Sequence, residues 1–248
     1  MSSVSAEFVA LHGFTQSGAM WREVAGAVGG RWHIPDLHAA TIGAAERRVA
    51  AAMAAPSGPF TLVGYSMGGR LALGEALRHS VGLVGLVLIS TSSGIADPIG
   101  REARRVADAA LADRAMAIGA EAFLDEWLAA PMFSGLARRG EAWRATDRRT
   151  RCHDTAALAA VLRGWGQGAW EPLRDRLGEV AVPSLLISGG HDGSYVAHVA
   201  EMASGLSDAE VVVVDGVGHA VVGEAPAAVS GAIVSWQRRV VGPEHTFG

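Results

Sequence analysis

Apolar positions along the chain fall into two rhythms. Short, nearly unbroken runs read as strands buried on both faces: "EFVAL" (7–11), "HIPDL" (33–37), "FTLVGY" (60–65), "GLVLIS" (85–90), "PSLLIS" (183–188) and "EVVVVD" (210–215). Around 20–28, 41–53 and 67–78 the apolar residues instead recur at helical spacing, and each segment has the length of a crossover between parallel strands. The alternation predicts an α/β protein with a doubly wound, mostly parallel sheet.

After Ser90 the rhythm changes. From about 97 to 177 no strong strand is legible, and "REARRVADAALADRAM" and "AEAFLDEWLAA" place charged and apolar residues at helical spacing. An insertion after the C-terminal end of a strand lies where open parallel sheets place their ligand crevice. It therefore reads as a helical cap over a site within a single domain, 1–248.

The turn from "FTLVGY" into the next helix carries the chemistry. In "GYSMGG", Ser66 stands between Gly64 and Gly68, the G-x-S-x-G pattern of a nucleophile elbow. Side chains flanking so tight a turn would collide with it, which accounts for the glycines. An activated serine needs a base and a carboxylate to orient that base. Asp192 follows "PSLLISGG" and His219 follows "EVVVVDGVG", each in a loop after a strand, in the order Ser, Asp, His. His191, Asp215 and Asp36 compete less well: His191 by its adjacency to Asp192, Asp215 as a turn former, and Asp36 because it comes too early in the chain. The two amides of an oxyanion hole are expected from Met67 and, after the first strand in "LHGFTQSG", from Phe14. His12, beside Gly13 at a strand end, reads as structural.

Composition narrows the partners. A chain of 248 residues with 50% hydrophobic content can bury one sizeable core. Its net charge of -4 and pI near 6.1 give no basic footprint for nucleic acid. Cys152 is the only cysteine, which rules out an internal disulfide framework and suits a reducing cytoplasm. No signal-peptide pattern and no apolar run of membrane-spanning length is present, so a soluble cytoplasmic protein is expected. No H-E-x-x-H spacing points to a metal, no G-x-G-x-x-G opens the first helix, and no cofactor is required.

Taken together, "LHGF", "GYSMGG", "GGHD" and "GVGH" resemble the α/β-hydrolase superfamily over nearly the whole chain. The resemblance implies that fold, with the cap inserted after the sixth family strand and the leading hairpin reduced. Within the superfamily, "GYSMGGRLAL", "REARRVADAALA" and "FLDEWLAAPMFSGL" resemble the MenH family of menaquinone biosynthesis. Those enzymes are 2-succinyl-6-hydroxy-2,4-cyclohexadiene-1-carboxylate synthases, lyases that remove a substrate proton and eliminate pyruvate. By that resemblance Tyr65, Arg70, Arg104 and Trp127 would contact substrate, with Arg149 or Arg151 completing the set. Arginine suits a small substrate bearing several carboxylates because its fork binds them bidentately.

The chain departs from the family pattern at "PDLHAATIG", at Ser194 and Tyr195 where lysine and phenylalanine are expected, and at Ala220 after His219. The same triad serves a hydrolase of esters, thioesters or C–C bonds, and the fold also serves a specialised-pathway cyclase or a ligand receptor. A serine at the elbow argues against dehalogenase and epoxide hydrolase chemistry, which use aspartate there. Nothing in the residues fixes the oligomeric state.

Overall fold

The structure, a computed structural model, describes residues 6–78 and 81–240. Six strands form one sheet in the order β2-β1-β3-β4-β5-β6, and every adjacent pair is parallel. They are β1 (Glu7–Leu11), β2 (Arg31–His33), β3 (Phe60–Tyr65), β4 (Leu83–Ile89), β5 (Ser184–Gly189) and β6 (Ala209–Val214). The helices are α1 (Arg22–Val28), α2 (Ile42–Met53), α3 (Met67–Ala76), α4 (Pro98–Leu128), α5 (Glu141–Arg149), α6 (Thr155–Trp165), α7 (Gly193–Gly205), α8 (Val221–Glu224) and α9 (Pro226–Val240). No helix among the described residues is long and apolar enough to cross a membrane.

Alternate residues of each central strand serve opposite faces of the sheet. On one face Val9, Leu11, Leu62, Leu86, Leu88 and Leu186 pack with residues of α2, α3, α6 and α7. On the other, Phe8, Ala10, Val63, Val87, Ile89, Leu185 and Ile187 pack against α1 and α9. Burial on both sides explains why the sequence shows unbroken apolar runs there. Each fully buried Leu or Val contributes about 1.5–3 kcal/mol over exposure.

Most elements lie within two residues of the sequence expectation, and two depart further or in kind. The second strand is Arg31–His33 rather than 33–37, because Pro35 has no N–H to give a ladder. The segment around 20–28 begins as a 3-10 turn, Gly18–Trp21, capped by the Ser17 hydroxyl, before α1 starts.

The topology places the site. The chain steps from β1 outward to β2 and then returns to β3 on the other side of β1, so the β1 and β3 exits are neighbours at the switch point. The loop after β1 carries Phe14, and the turn after β3 carries Ser66. Between β4 and β5 run α4, a 3-10 stretch Pro131–Arg139, α5, α6 and a 3-10 turn Arg174–Glu179. Helix α4 is interrupted at Gly119, whose φ of 79° and ψ of 161° are non-helical.

At the other end of the sheet, Glu7 ties β1 to its neighbours. Its carboxylate accepts from the Ser57 hydroxyl (2.7 Å) and amide (3.1 Å) and pairs with His33 Nε2 at 2.7 Å. Burial would raise its pKa, but the hydrogen bonds from Ser57 and His33 outweigh it and lower the pKa from 4.5 to about 2. A folded-state pKa below the unfolded one gives stability that is present above pH 4.5 and is lost as pH falls toward 2. Chemical denaturation between pH 6 and 2.5 is expected to show roughly 1–3 kcal/mol of acid-dependent stability in this window that disappears in Glu7→Gln.

Candidate active site

Ser66 occupies a strained turn. Its φ of 52° and ψ of -112° lie where non-glycine residues rarely sit, directly between the end of β3 and the start of α3. The turn closes only because its neighbours lack side chains. A Cβ on Gly68 would lie 2.3 Å from the Leu11 carbonyl oxygen, and one on Gly64 would lie 2.6 Å from that of Gly68.

The three separated residues meet. The Ser66 hydroxyl lies 3.2 Å from His219 Nε2, and His219 Nδ1 lies 2.7 Å from Asp192 Oδ2. With the Nδ1 proton held by the carboxylate, Nε2 presents a lone pair to the serine. Asp192 comes from the end of β5, at the start of α7, and its other oxygen accepts from the Ser194 hydroxyl at 3.2 Å. His219 is 3% exposed. Its backbone is held from two sides: the amide donates to Met132 O (3.3 Å) and the carbonyl accepts from the Tyr65 hydroxyl (3.2 Å). The competing residues His191, Asp215 and Asp36 are all exposed, and among the described residues no side-chain hydrogen bond joins them to Ser66 or His219.

A cavity opens onto Ser66 and His219, lined also by Phe14, Met67, Tyr65, Arg70, Arg104, Trp127 and Arg151. Met67 begins α3, so its amide has no acceptor within the helix and is directed outward. Phe14 sits in a turn closed by the Gln16 amide donating to Gly13 O at 3.2 Å, with Thr15 at a φ of 64°. Left-handed threonine is uncommon and is held here by three contacts. Arg151 donates to its hydroxyl (2.7 Å), and the Cys152 amide donates to its carbonyl (2.7 Å). The third is the bond from the Gln16 amide to Gly13 O, which closes the turn around it.

The arginines differ in their partners. Arg151 is buried and also donates through Nε to Asp147 (2.8 Å), whereas Arg149 is exposed and does not line the cavity. Arg104 gives Nε to Asp108 Oδ1 at 2.7 Å, leaving its outer nitrogens for the cavity. Asp108 in turn accepts from the Gly168 amide at 3.0 Å. Arg70 is 6% exposed, and its guanidinium makes no hydrogen bond or ion pair among the described residues, with only the Trp170 ring beneath it at 5.9 Å. Burial pulls its pKa down and the Arg104 charge adds to this, against the opposing influence of Tyr195 and Asp108. The indole N–H of Trp127 is likewise buried and unpartnered.

Some lining residues were not singled out from the sequence. The i, i+4 spacing of Arg104 and Asp108 was a usable signal for that pair. Gln16, Met132 and Phe133 left none, because their place depends on how the helical segment folds over the sheet. Tyr195, visible in sequence only as a departure, packs its ring 4.4 Å from that of His219, and burial raises its pKa.

His12, Asp36 and His38 bring ligand-type atoms within 4.8 Å of one another. Both ring nitrogens of His12 are already engaged, Nδ1 with Gly13 O (2.9 Å) and Nε2 with the Leu37 amide (3.0 Å). In this arrangement His12 ties the β1 exit to the loop after β2 and has no lone pair left for a metal.

Comparison with known proteins gives the same architecture. The chain is 37% identical over 166 residues to a Bacillus subtilis protein provisionally assigned as a 2-succinyl-6-hydroxy-2,4-cyclohexadiene-1-carboxylate synthase, covering 66% of this chain and 61% of that one. It is 32% identical over 174 residues to the synthase of an Enterobacter species, covering 70% and 65%. The matched segments thus span somewhat less than two thirds of these relatives. Among solved structures, MenH from S. aureus superposes with a TM-score of 0.86 at 24% identity, over 97% of both chains. A Thermogutta terrifontis esterase superposes at 0.78 and 24% identity, over 98% of this chain and 92% of that one. The profile described as "Alpha/beta hydrolase family" matches residues 8–232, a span that holds the serine turn, both of its partners and the helical segment above them. On that match the chain belongs to the alpha/beta hydrolase family.

Proposed function

We propose that the chain is a lyase that eliminates pyruvate from 2-succinyl-5-enolpyruvyl-6-hydroxy-3-cyclohexene-1-carboxylate, the reaction named for its synthase relatives in menaquinone biosynthesis. One observation carries this reading beyond the relatives' names: Arg70, a buried guanidinium with no hydrogen-bonded or ion-paired acid among the described residues, faces the same cavity as Ser66, Arg104 and Arg151. An uncompensated buried cation is costly, and an anionic substrate that supplies the missing carboxylate removes that cost.

In this reading His219 withdraws the Ser66 proton, and the serine oxygen takes the proton from the ring carbon bearing the succinyl ketone. The electron pair moves to the ketone oxygen, where the Phe14 and Met67 amides stabilise the enolate. Its return pushes through the ring double bond and breaks the C–O bond to the enolpyruvyl group. The departing oxygen takes the proton held on His219, so pyruvate leaves in its enol form, the ring becomes the 2,4-diene, and no water is consumed. Asp192 holds the imidazole and offsets its charge. Tyr65, Arg70, Arg104, Trp127 and Arg151 hold the substrate beneath the 97–177 segment acting as cap. A single reduced cysteine suits a cytoplasmic setting.

A serine hydrolase reading is the alternative suggested by the esterase likeness, since the same serine, 3.2 Å from His219, could form an acyl-enzyme. The deciding experiment incubates wild type and Ser66→Ala with the enolpyruvyl substrate and, separately, with a short acyl ester, and analyses the products by mass spectrometry. Ser66-dependent pyruvate release is expected. Ester cleavage without pyruvate would replace the lyase reading by the hydrolase one.

A further inference from the structure

The cavity over Ser66 is rich in donors. The Arg70 guanidinium, the nitrogens of Arg104 and Arg151 not engaged by Asp108, Asp147 and Thr15, the Trp127 indole and the Met67 amide are donors open to a ligand. Among the acceptors, Asp108 is already committed, one oxygen to Arg104 and the other to the Gly168 amide.

Gln16 differs from all of these. It lines the same cavity and is 8% exposed, and its Oε1 is buried with no hydrogen-bond partner. The turn that presents the Phe14 amide also folds Gln16 back, through its own amide to Gly13 O at 3.2 Å. Room for the carboxamide exists because residue 13 has no side chain: a Cβ there would lie 2.9 Å from Gln16 Oε1 and 2.8 Å from the Tyr65 ring. A buried carbonyl oxygen left unpaired is destabilising, so a polar group kept in this state beside a cavity is poised for a donor that arrives with the ligand.

We infer that Gln16 is a specificity-determining residue whose side-chain carbonyl accepts a hydrogen bond from a hydroxyl of the substrate. Carboxylates and ketones are acceptors and cannot satisfy it. A hydroxyl beside an arginine-bound carboxylate can. The inference rests on the lyase reading and deepens it, because the substrate named there carries a ring hydroxyl on the carbon next to its ring carboxylate. A site built around a hydroxyl penalises the analogue that lacks it, since the buried acceptor then stays unpaired.

The test uses binding, so it stands apart from turnover. Wild type, Gln16→Met and Gln16→Glu are titrated with cyclohexanecarboxylate and with the cis and trans isomers of 2-hydroxycyclohexane-1-carboxylate, followed by ligand-observed NMR. Wild type is expected to bind one hydroxy isomer about tenfold more tightly than the parent acid, the worth of one neutral hydrogen bond in a buried site. In Gln16→Met the ratio should fall to near one while affinity for the parent acid is retained, which also establishes that the variant is folded. Gln16→Glu keeps an acceptor but adds an anion beside the arginines, so it should keep a preference for the hydroxy acid while weakening every acid. Equal binding of all acids by wild type, a preference that survives in Gln16→Met, or no binding of any acid overturns the inference. Pyruvate release tests the lyase reading separately, since it depends on Ser66 and needs no preference between the two acids.

Discussion

If the proposed lyase reading holds, Asp192→Asn is expected to lower kcat for pyruvate release by about 10⁴-fold with the fold intact, and His219→Ala by at least as much. The reason lies in the 2.7 Å contact between Asp192 Oδ2 and His219 Nδ1. The carboxylate accepts there, which keeps the proton on Nδ1 and leaves Nε2 free to accept from Ser66. An asparagine can turn its amide nitrogen toward the ring, which favours the tautomer with Nε2 protonated and unable to act as base. The tie from Ser194 to Asp192 Oδ1 and the backbone contacts of His219 remain in place, so structure and substrate affinity should change little. Because the residues act as one unit, the double variant should be hardly worse than His219→Ala alone. Single-turnover kinetics check this, and additive losses would show that Asp192 acts outside the triad.

Arg70→Met is expected to move activity and stability in opposite directions. On the proposed reading, in which Arg70 pairs a substrate carboxylate, its removal should lower kcat/KM by roughly 10²- to 10³-fold, the worth of two charge-assisted hydrogen bonds. The same change removes a buried cation with no partner of its own and leaves an apolar side chain of similar length against Trp170. The substrate-free protein should therefore gain about 1–3 kcal/mol in stability, seen as a higher Tm. Arg70→Lys restores the charge without the fork and should recover activity only in part. A loss of stability in Arg70→Met would mean that the arginine serves the fold first.

These opposed effects match what was and was not legible in the residue order. Ser66 and its glycines are readable because the constraint on them is local: the turn must close within a few residues, and side chains at 64 and 68 would meet backbone. Asp192 and His219 are readable because parallel strands deliver their exits to one edge, so a strand followed by a polar residue already specifies a place. The β2 boundary was missed where one proline outweighed an apolar run. Arg149 and Arg151 could not be separated by sequence, since they lie at and just past the end of α5 and only the packing of that end turns one inward and the other out. Gln16 was illegible for a deeper reason: its role lies in what it faces, and the facing residues are tens of positions away.

The interruption in α4 governs the width of the cavity. Arg104 and Trp127 both line it, yet an unbroken helix would set them roughly 35 Å apart along its axis. The break at Gly119 folds the helix back, with Arg114 donating to Glu126 across it, so that residues from both of its arms line one cavity. Nothing lies within 4 Å of where a Cβ at 119 would stand, so space places no demand on that residue and only its backbone angle does. Position, then, is what matters at the break: each residue inserted or removed between it and Trp127 would rotate the indole by about 100° around the helix axis. The reach of the cavity is written as a residue count.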